Sequence, residues 1–141
     1  MVYKATFNLP NKSPTRQVIE FQEPTAENNY TWYRLYDDGW VEQSGADLII
    51  GNLGNGNASQ ATAPLLVTMA DTTYRATAIC RTQSGNDYNR LYASLGPKQT
   101  TSCSFGVRNI GGSTSDIRIM WQVCGKSARG ATQQNIVCIK Y

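Results

Sequence analysis

The stretch Tyr30-Thr-Trp-Tyr-Arg-Leu-Tyr-Asp-Asp-Gly-Trp-Val-Glu-Gln-Ser-Gly45 decides how the chain is read. Two aromatic-rich runs, Thr31 to Tyr36 and Trp40 to Gln43, flank an Asp-Asp-Gly step. Asp-Gly is a strong short-range hairpin signal: Gly39 adopts positive φ without steric cost, and Asp38 tolerates it better than most residues. The stretch therefore predicts a β-hairpin. Trp32, Tyr33, Tyr36 and Trp40 carry much of the large aromatic surface of the chain, so the hairpin is expected to nucleate the core or an interface.

On the C-terminal side the period-2 signal continues. Leu65, Val67 and Met69 form one apolar face; Tyr74, Ala76, Ala78 and Cys80 form a second; Cys103, Phe105 and Val107 a third; Ile117, Ile119, Trp121 and Val123 a fourth. Alternation of this kind belongs to antiparallel strands with one face in the core and one in water. Asn135 to Tyr141 is apolar on both sides, which predicts cover on both, by the core and by a neighbouring subunit. Turn signals fall at Gly51 to Ala58, Gln83 to Arg90, Gly96-Pro97, Asn109 to Ser115 and Gly125 to Thr132. No stretch sustains a helical period. The expected fold is all-β, an antiparallel sandwich or barrel, with Trp32, Tyr36, Trp40 and Trp121 as structural core. On the N-terminal side Gln17 to Phe21 offers a short strand, and residues 1–29 read as an arm leading into a tip domain at 30–141.

At 141 residues the chain has the size of one domain. Charged residues are only 16%, below the roughly 25% of average soluble domains, while Ser, Thr, Asn and Gln supply 44 positions. Such a surface makes contacts through hydroxyls and amides, which suits sugars. The net charge of +3 is uneven: residues up to Glu42 hold 4 basic against 6 acidic groups, and the remainder 9 against 4. A mildly positive second segment would steer the protein towards anionic polysaccharide or lipopolysaccharide, and equally keeps a polar protein in solution. Scattered single arginines without a basic run argue against nucleic acid as a partner. Met1-Val-Tyr-Lys-Ala-Thr lacks the apolar segment of a signal peptide, and no apolar run approaches about 18 residues, so membrane insertion is not expected and synthesis in a cytoplasm is.

Histidine is absent, which excludes Ser-His-Asp and Cys-His catalysis within the chain. Asp37, Asp38 and Glu42 are the densest carboxylate group, the minimum for glycoside hydrolysis, but an Asp pair in a tight turn serves the backbone. No catalytic residue is assigned, and Glu42-Gln43 is expected to fix hydrogen bonds between strands. Cys80, Cys103, Cys124 and Cys138 lie among apolar neighbours as small hydrophobes, with two disulfides the alternative; without CxxC spacing no metal or other cofactor is expected. Gly51-Asn-Leu-Gly-Asn-Gly-Asn-Ala58 lacks the Gly-Lys-Ser/Thr of a phosphate loop. Sugar binding calls for aromatics beside polar loops. Asn86, Tyr88, Asn89 and Arg90 in one loop, and Asn55 and Asn57 in the Gly/Asn tract, are the candidate ligand contacts, with Tyr92 read as either core or flank.

The hairpin phrase Trp-Tyr-Arg-Leu-Tyr-Asp-Asp-Gly-Trp-Val-Glu-Gln resembles the pattern that opens C-terminal domains of tail-fibre proteins of tailed bacteriophages. Pro64 to Tyr74 looks like that family's apolar strand, Asp-Thr turn and tyrosine; Thr100 to Val107 like its Thr/Ser-rich strand; and Ile119-Met-Trp-Gln-Val-Cys-Gly125 like its closing strand. The resemblance spans residues 30 to 125. It implies a homotrimeric virion-tail tip that binds a bacterial surface polysaccharide, lipopolysaccharide or outer-membrane protein. Two alternatives stand beside it: a virion structural β-module without a receptor, and a tailspike-type glycan hydrolase. Family members usually close a much longer chain, whereas residue 1 here lies about thirty residues before the motif and sixteen residues follow Gly125. A fragment, a separately encoded tip and a structural protein that reuses the fold all fit that layout.

Overall fold

A computed structural model describes residues 16–82 and 90–130. The described strands are β1 (Val18–Gln22), β2 (Trp32–Tyr36), β3 (Trp40–Leu53), β4 (Ala58–Pro64), β5 (Arg75–Arg81), β6 (Leu91–Lys98), β7 (Ser102–Asn109) and β8 (Thr114–Lys126), with one 3-10 turn at Ala26–Asn28. Every pairing is antiparallel. Five strands form one sheet in the order β1-β2-β3-β8-β5, and three form a second in the order β4-β7-β6. The two sheets enclose one core in which Val41, Phe105, Val107, Ile117, Ile119 and Val123 are almost fully buried. The all-β antiparallel sandwich read from the alternating faces is the fold observed.

The hairpin is present, and Gly39 alone in its turn takes the left-handed conformation (φ 80°), with its N–H donating to the Tyr36 carbonyl at 2.9 Å. Asp38 serves the turn through its side chain, whose Oδ1 accepts the Trp40 N–H at 2.9 Å. The aromatics do not go where the sequence predicted. Trp32, Tyr36 and Trp40 are only half-buried, and of the four expected core residues Trp121 alone is buried. The reason is the pleat. Leu35, Val41 and Gln43 occupy the inward positions of the hairpin, so Trp32, Arg34 and Tyr36, with Trp40 and Glu42 opposite, share the outer face. Arginine cations cover two of the rings, Arg16 at 4.6 Å from the Trp40 centroid and Arg34 at 5.8 Å from that of Trp32.

Three predicted boundaries shift. β3 runs unbroken through Gly45 and into the Gly/Asn tract as far as Leu53, with bulges absorbing the irregular register against β8. Gly45 is needed there because the Trp121 indole lies against it; a Cβ would stand 2.6 Å from Nε1. β4, with only small inward residues Ser59, Ala61 and Ala63, carried too weak a pattern to be read. β6 continues through Gly96-Pro97 because it is an edge strand, where the missing proline N–H is not required, and the turn follows at 99–101. Conversely, Leu65, Val67 and Met69 do not form a strand. Val67 and Met69 are buried, but the backbone here is irregular, bonded by the Gln43 side chain and by the backbone of Thr100, Thr101 and Ala128.

β1 pairs with β2, so Val18–Gln22 is the edge of the main sheet and not part of a separate arm. Residues 1–15, the Asn86-to-Asn89 loop segment and Asn135 to Tyr141, with Cys138, lie outside the described residues. Cys80, Cys103 and Cys124 are free thiols: Cys103 sits in the core, and the other two are half-buried.

Candidate functional site

The sandwich has two ends. One carries the turns at 37–39 and 99–101 and the long 65–74 connection. The other carries the 54–57 turn, the start of β6 at Arg90, and the 110–113 turn. The candidate ligand residues within the described part, Asn55, Asn57 and Arg90, all fall at this second end.

Asn109 brings them together. It is the last inward position of the Cys103, Phe105, Val107 face and is fully buried. Its Nδ2 lies 2.9 Å from the Leu53 carbonyl, 2.7 Å from that of Gly112 and 3.3 Å from Thr114 Oγ1, while its Oδ1 accepts the Gly111 N–H at 3.1 Å. Its backbone accepts the Gly56 N–H at 2.8 Å and donates to the Asn57 carbonyl at 2.9 Å. The next residue, Ile110, donates to the Arg90 carbonyl at 2.9 Å. The Arg90 side chain lies along the bare backbone of Gly111 and Gly112, where a Cβ would meet it at 2.7 Å in both cases. Asn55 and Asn57 project as exposed side chains from the turn. Sequence reading missed Asn109, and the signal was available: a polar residue on the inward beat of an apolar alternation must be hydrogen-bonded in the core.

Tyr92 is not core. Leu91 faces inward, so Tyr92 points out of the small sheet and is 57% exposed, directly across from Arg108. Next to this pair the outer face of the small sheet holds a shallow depression of about 470 Å³ floored by Gly106 and rimmed by Gln60, Ser94 and Arg108. A second, of about 280 Å³, lies on the main sheet among Ser44, Thr77, Ile79, Met120 and Gln122.

The carboxylates are engaged in structural contacts. Asp38 binds the Trp40 N–H and forms ion pairs with Arg16 at 2.7 Å and Lys126 at 3.7 Å; burial pushes its carboxyl up, and these partners outweigh it and hold the group below its ordinary value. Glu42 accepts the Tyr36 hydroxyl at 3.1 Å, and burial together with that carboxylate raises the phenol. Asp47 pairs with Arg81 and lies 3.9 Å from Arg118. Glu20 takes the Tyr33 hydroxyl at 2.7 Å and pairs with Arg129, and both keep its carboxyl low. Among the described residues no cluster of Cys, Asp or Glu could hold a metal ion, and no helix is long and apolar enough to cross a membrane.

No protein-family model matches the chain, and no curated protein matches it. Two solved structures are similar to it. The first is the R1 pyocin fibre of P. aeruginosa comprising C-terminal residues 323–701, with a TM-score of 0.55 at 12% identity. The second is an N-truncated R1-type pyocin tail fibre, with a TM-score of 0.55 at 13% identity. The chain shares its fold with these tail fibres. The match covers 67% of this chain in both cases, but only 26% of the first fibre fragment against 79% of the second.

Proposed function

We propose that this chain is the tip domain of a bacteriophage tail fibre, a virion-tail component made in the host cytoplasm, which assembles as a homotrimer and binds a bacterial surface glycan or protein. The observation that carries the reading is the fold it has in common with the pyocin tail fibres. Support comes from the second end of the sandwich, where the connections that carry Asn55, Asn57 and Arg90 are hydrogen-bonded to the backbone of Asn109 and Ile110. Asn86, Tyr88 and Asn89 immediately precede Arg90 in sequence and lie outside the described residues. Three copies of a shallow site would gain avidity from trimerisation. Binding is favoured over hydrolysis because Asp37, Asp38 and Glu42 belong to a turn and its ladder, on the hairpin and not across a cleft.

The purified protein should coat susceptible cells and block adsorption of the parent particle, and light scattering should give three times the chain mass. A stable monomer at micromolar concentration, or no competition on any strain that the particle infects, would overturn the reading. A second reading, a structural module of the tail without a receptor, draws on β1. Val18, Ile19 and Phe21 are exposed on this edge strand, a template for pairing with another chain. Substitutions at Arg90 that alter adsorption while particles still assemble would exclude it.

A further inference from the structure

We infer that the depression over Gly106 is a subsite for an acidic sugar, a pyranose bearing a carboxylate or phosphate. The inference rests on the receptor-binding reading and names both a ligand class and a surface that the loop residues alone do not supply.

The site follows from cross-strand register. Tyr92, Arg108 and Ala58 form one row across β6, β7 and β4, and Ser94, Gly106 and Gln60 form the next. Adjacent strands lie about 4.8 Å apart, close to the width of a sugar ring. Gly106 contributes no side chain, and the Ser94 hydroxyl leans over it, 2.7 Å from where a Cβ would stand, so the floor is bare backbone capped at one side by that hydroxyl. Its volume of about 470 Å³ falls within the range of ligand sites, roughly 300–1,000 Å³. Around it stand the groups that a sugar needs. Gln60 and Ser94 on its rim offer an amide and a hydroxyl for ring hydroxyls, and in the neighbouring row, across from Arg108, the exposed Tyr92 ring offers an apolar face for stacking.

Arg108 sets the charge. Its side chain makes no ion pair or hydrogen bond with the described residues, and no carboxylate lines the depression. A guanidinium free to fork onto an oxyanion beside a stacking ring selects an acidic sugar over a neutral one. The surface also adjoins the proposed binding end: β4 starts at Ala58, straight after the 54–57 turn, and Tyr92 lies two residues beyond Arg90. A single chain of sugars would reach both.

The test is a titration of the whole chain at low salt with trigalacturonate, glucose 6-phosphate and neutral maltotriose, read by backbone amide shifts. The acidic probes should move Gln60, Ser94, Gly106 and Arg108, and maltotriose should bind at least about tenfold more weakly. Trigalacturonate alone binding assigns the carboxylate, glucose 6-phosphate alone the phosphate, and either supports the subsite. Arg108→Ala and Gly106→Val, the latter filling the floor and pushing the Ser94 hydroxyl aside, should each cost about tenfold or more in affinity. Equal binding of the neutral probe, shifts confined to 54–57 and 110–113, or no binding of either acidic probe would overturn the subsite. Cell adsorption by these variants separates the two readings. Full adsorption by Arg108→Ala removes the subsite and leaves the receptor role, whereas wild-type protein that adsorbs to no strain removes the receptor role whatever the sugars do.

Discussion

The two ends of the sandwich solve the same problem, how to tie loops to strands, with different amounts of buried material. At the 37–39 end, Gln43 reaches under the 65–69 segment. Its Oε1 accepts the Leu66 and Val67 N–H groups at 2.7 and 3.0 Å, and its Nε2 donates to the Val67 carbonyl at 2.9 Å and lies 3.2 Å from Met69 Sδ. The Tyr74 hydroxyl lies 2.9 Å from the Gln99 carbonyl and 3.1 Å from that of Ser102, and Lys98 closes back onto the Tyr74 carbonyl at 2.8 Å. Apolar side chains fill the space between. At the other end Asn109 ties the turns with hydrogen bonds, and the residues that reach outward from it are polar and exposed. One end is thus an extension of the core and the other a platform. A binding surface needs its scaffold fixed and polar groups exposed at its tips, which the second arrangement provides.

The sharpest way to break the contrast is Gln43→Ala. It would leave two N–H groups and a carbonyl of the 65–69 segment without their side-chain partner and should cost about 3–4 kcal/mol in urea unfolding. Loss of less than about 1 kcal/mol would mean that the 65–69 segment finds other partners, and that this end is no better anchored than its opposite. Asn109→Ala should cost less, about 2–3 kcal/mol, since it affects a turn backbone closer to water. Its effect should also be local: amide exchange at Gly56 and Gly111 should quicken while that at Leu66 and Val67 holds.

Glycines sharpen the same comparison. A Cβ at Gly125 would press 2.7 Å from Tyr74 Cβ and 3.1 Å from Met69 Cε, and neither the Tyr74 Cβ nor its backbone can retreat. Gly125→Ala should therefore cost about 1–3 kcal/mol. At Gly111 the neighbours are Cδ and Cγ of the Arg90 side chain, at 2.7 and 2.9 Å, which yield more readily than a backbone does, and Gly111→Ala should cost less, within about 1 kcal/mol. Near-equal losses at the two positions would show that the platform end is packed like the core.

The fold was legible because its inward beats are regular: Cys103 to Val107 and Ile117 to Val123 could hardly be read otherwise. What the pattern hid was the hairpin's direction. Aromatic content pulled Trp32, Tyr36 and Trp40 into the expected core, yet Leu35 and Val41 on the alternate positions are the buried ones, and a single-residue choice of phase decides a whole face. Val67 and Met69 were read correctly as buried and wrongly as strand, because burial there depends on a glutamine 24 positions upstream of Val67. The site was legible in composition and not in place. Asn55, Asn57 and Arg90 meet only through the β3–β4 and β7–β8 turns, and the exposure of Tyr92 depends on the phase of an edge strand without a clear alternation.

The last expected effect concerns protons at the core-like end. Burial pushes the Cys103 thiol up, despite the Tyr74 hydroxyl and the Lys98 charge, and burial likewise raises the Tyr74 phenol, helped by Cys103. A group whose value is raised by folding stabilises the fold fully below its unfolded value, and that stability drains as the pH rises through the interval up to the folded value. For Cys103 the interval opens at the ordinary thiol value, about 8.5, so stability should be flat from pH 7 to 8 and fall above it by up to about 1 kcal/mol per pH unit. Cys103→Ala lowers stability at every pH through the cavity it leaves, so the level is not diagnostic and the slope is. The variant should lose part of the alkaline fall, and the remainder belongs to Cys80, whose thiol burial also raises, and at higher pH to Tyr74. An unchanged slope would mean that the Cys103 thiol ionises as readily folded as unfolded, which a side chain sealed between the two sheets does not allow.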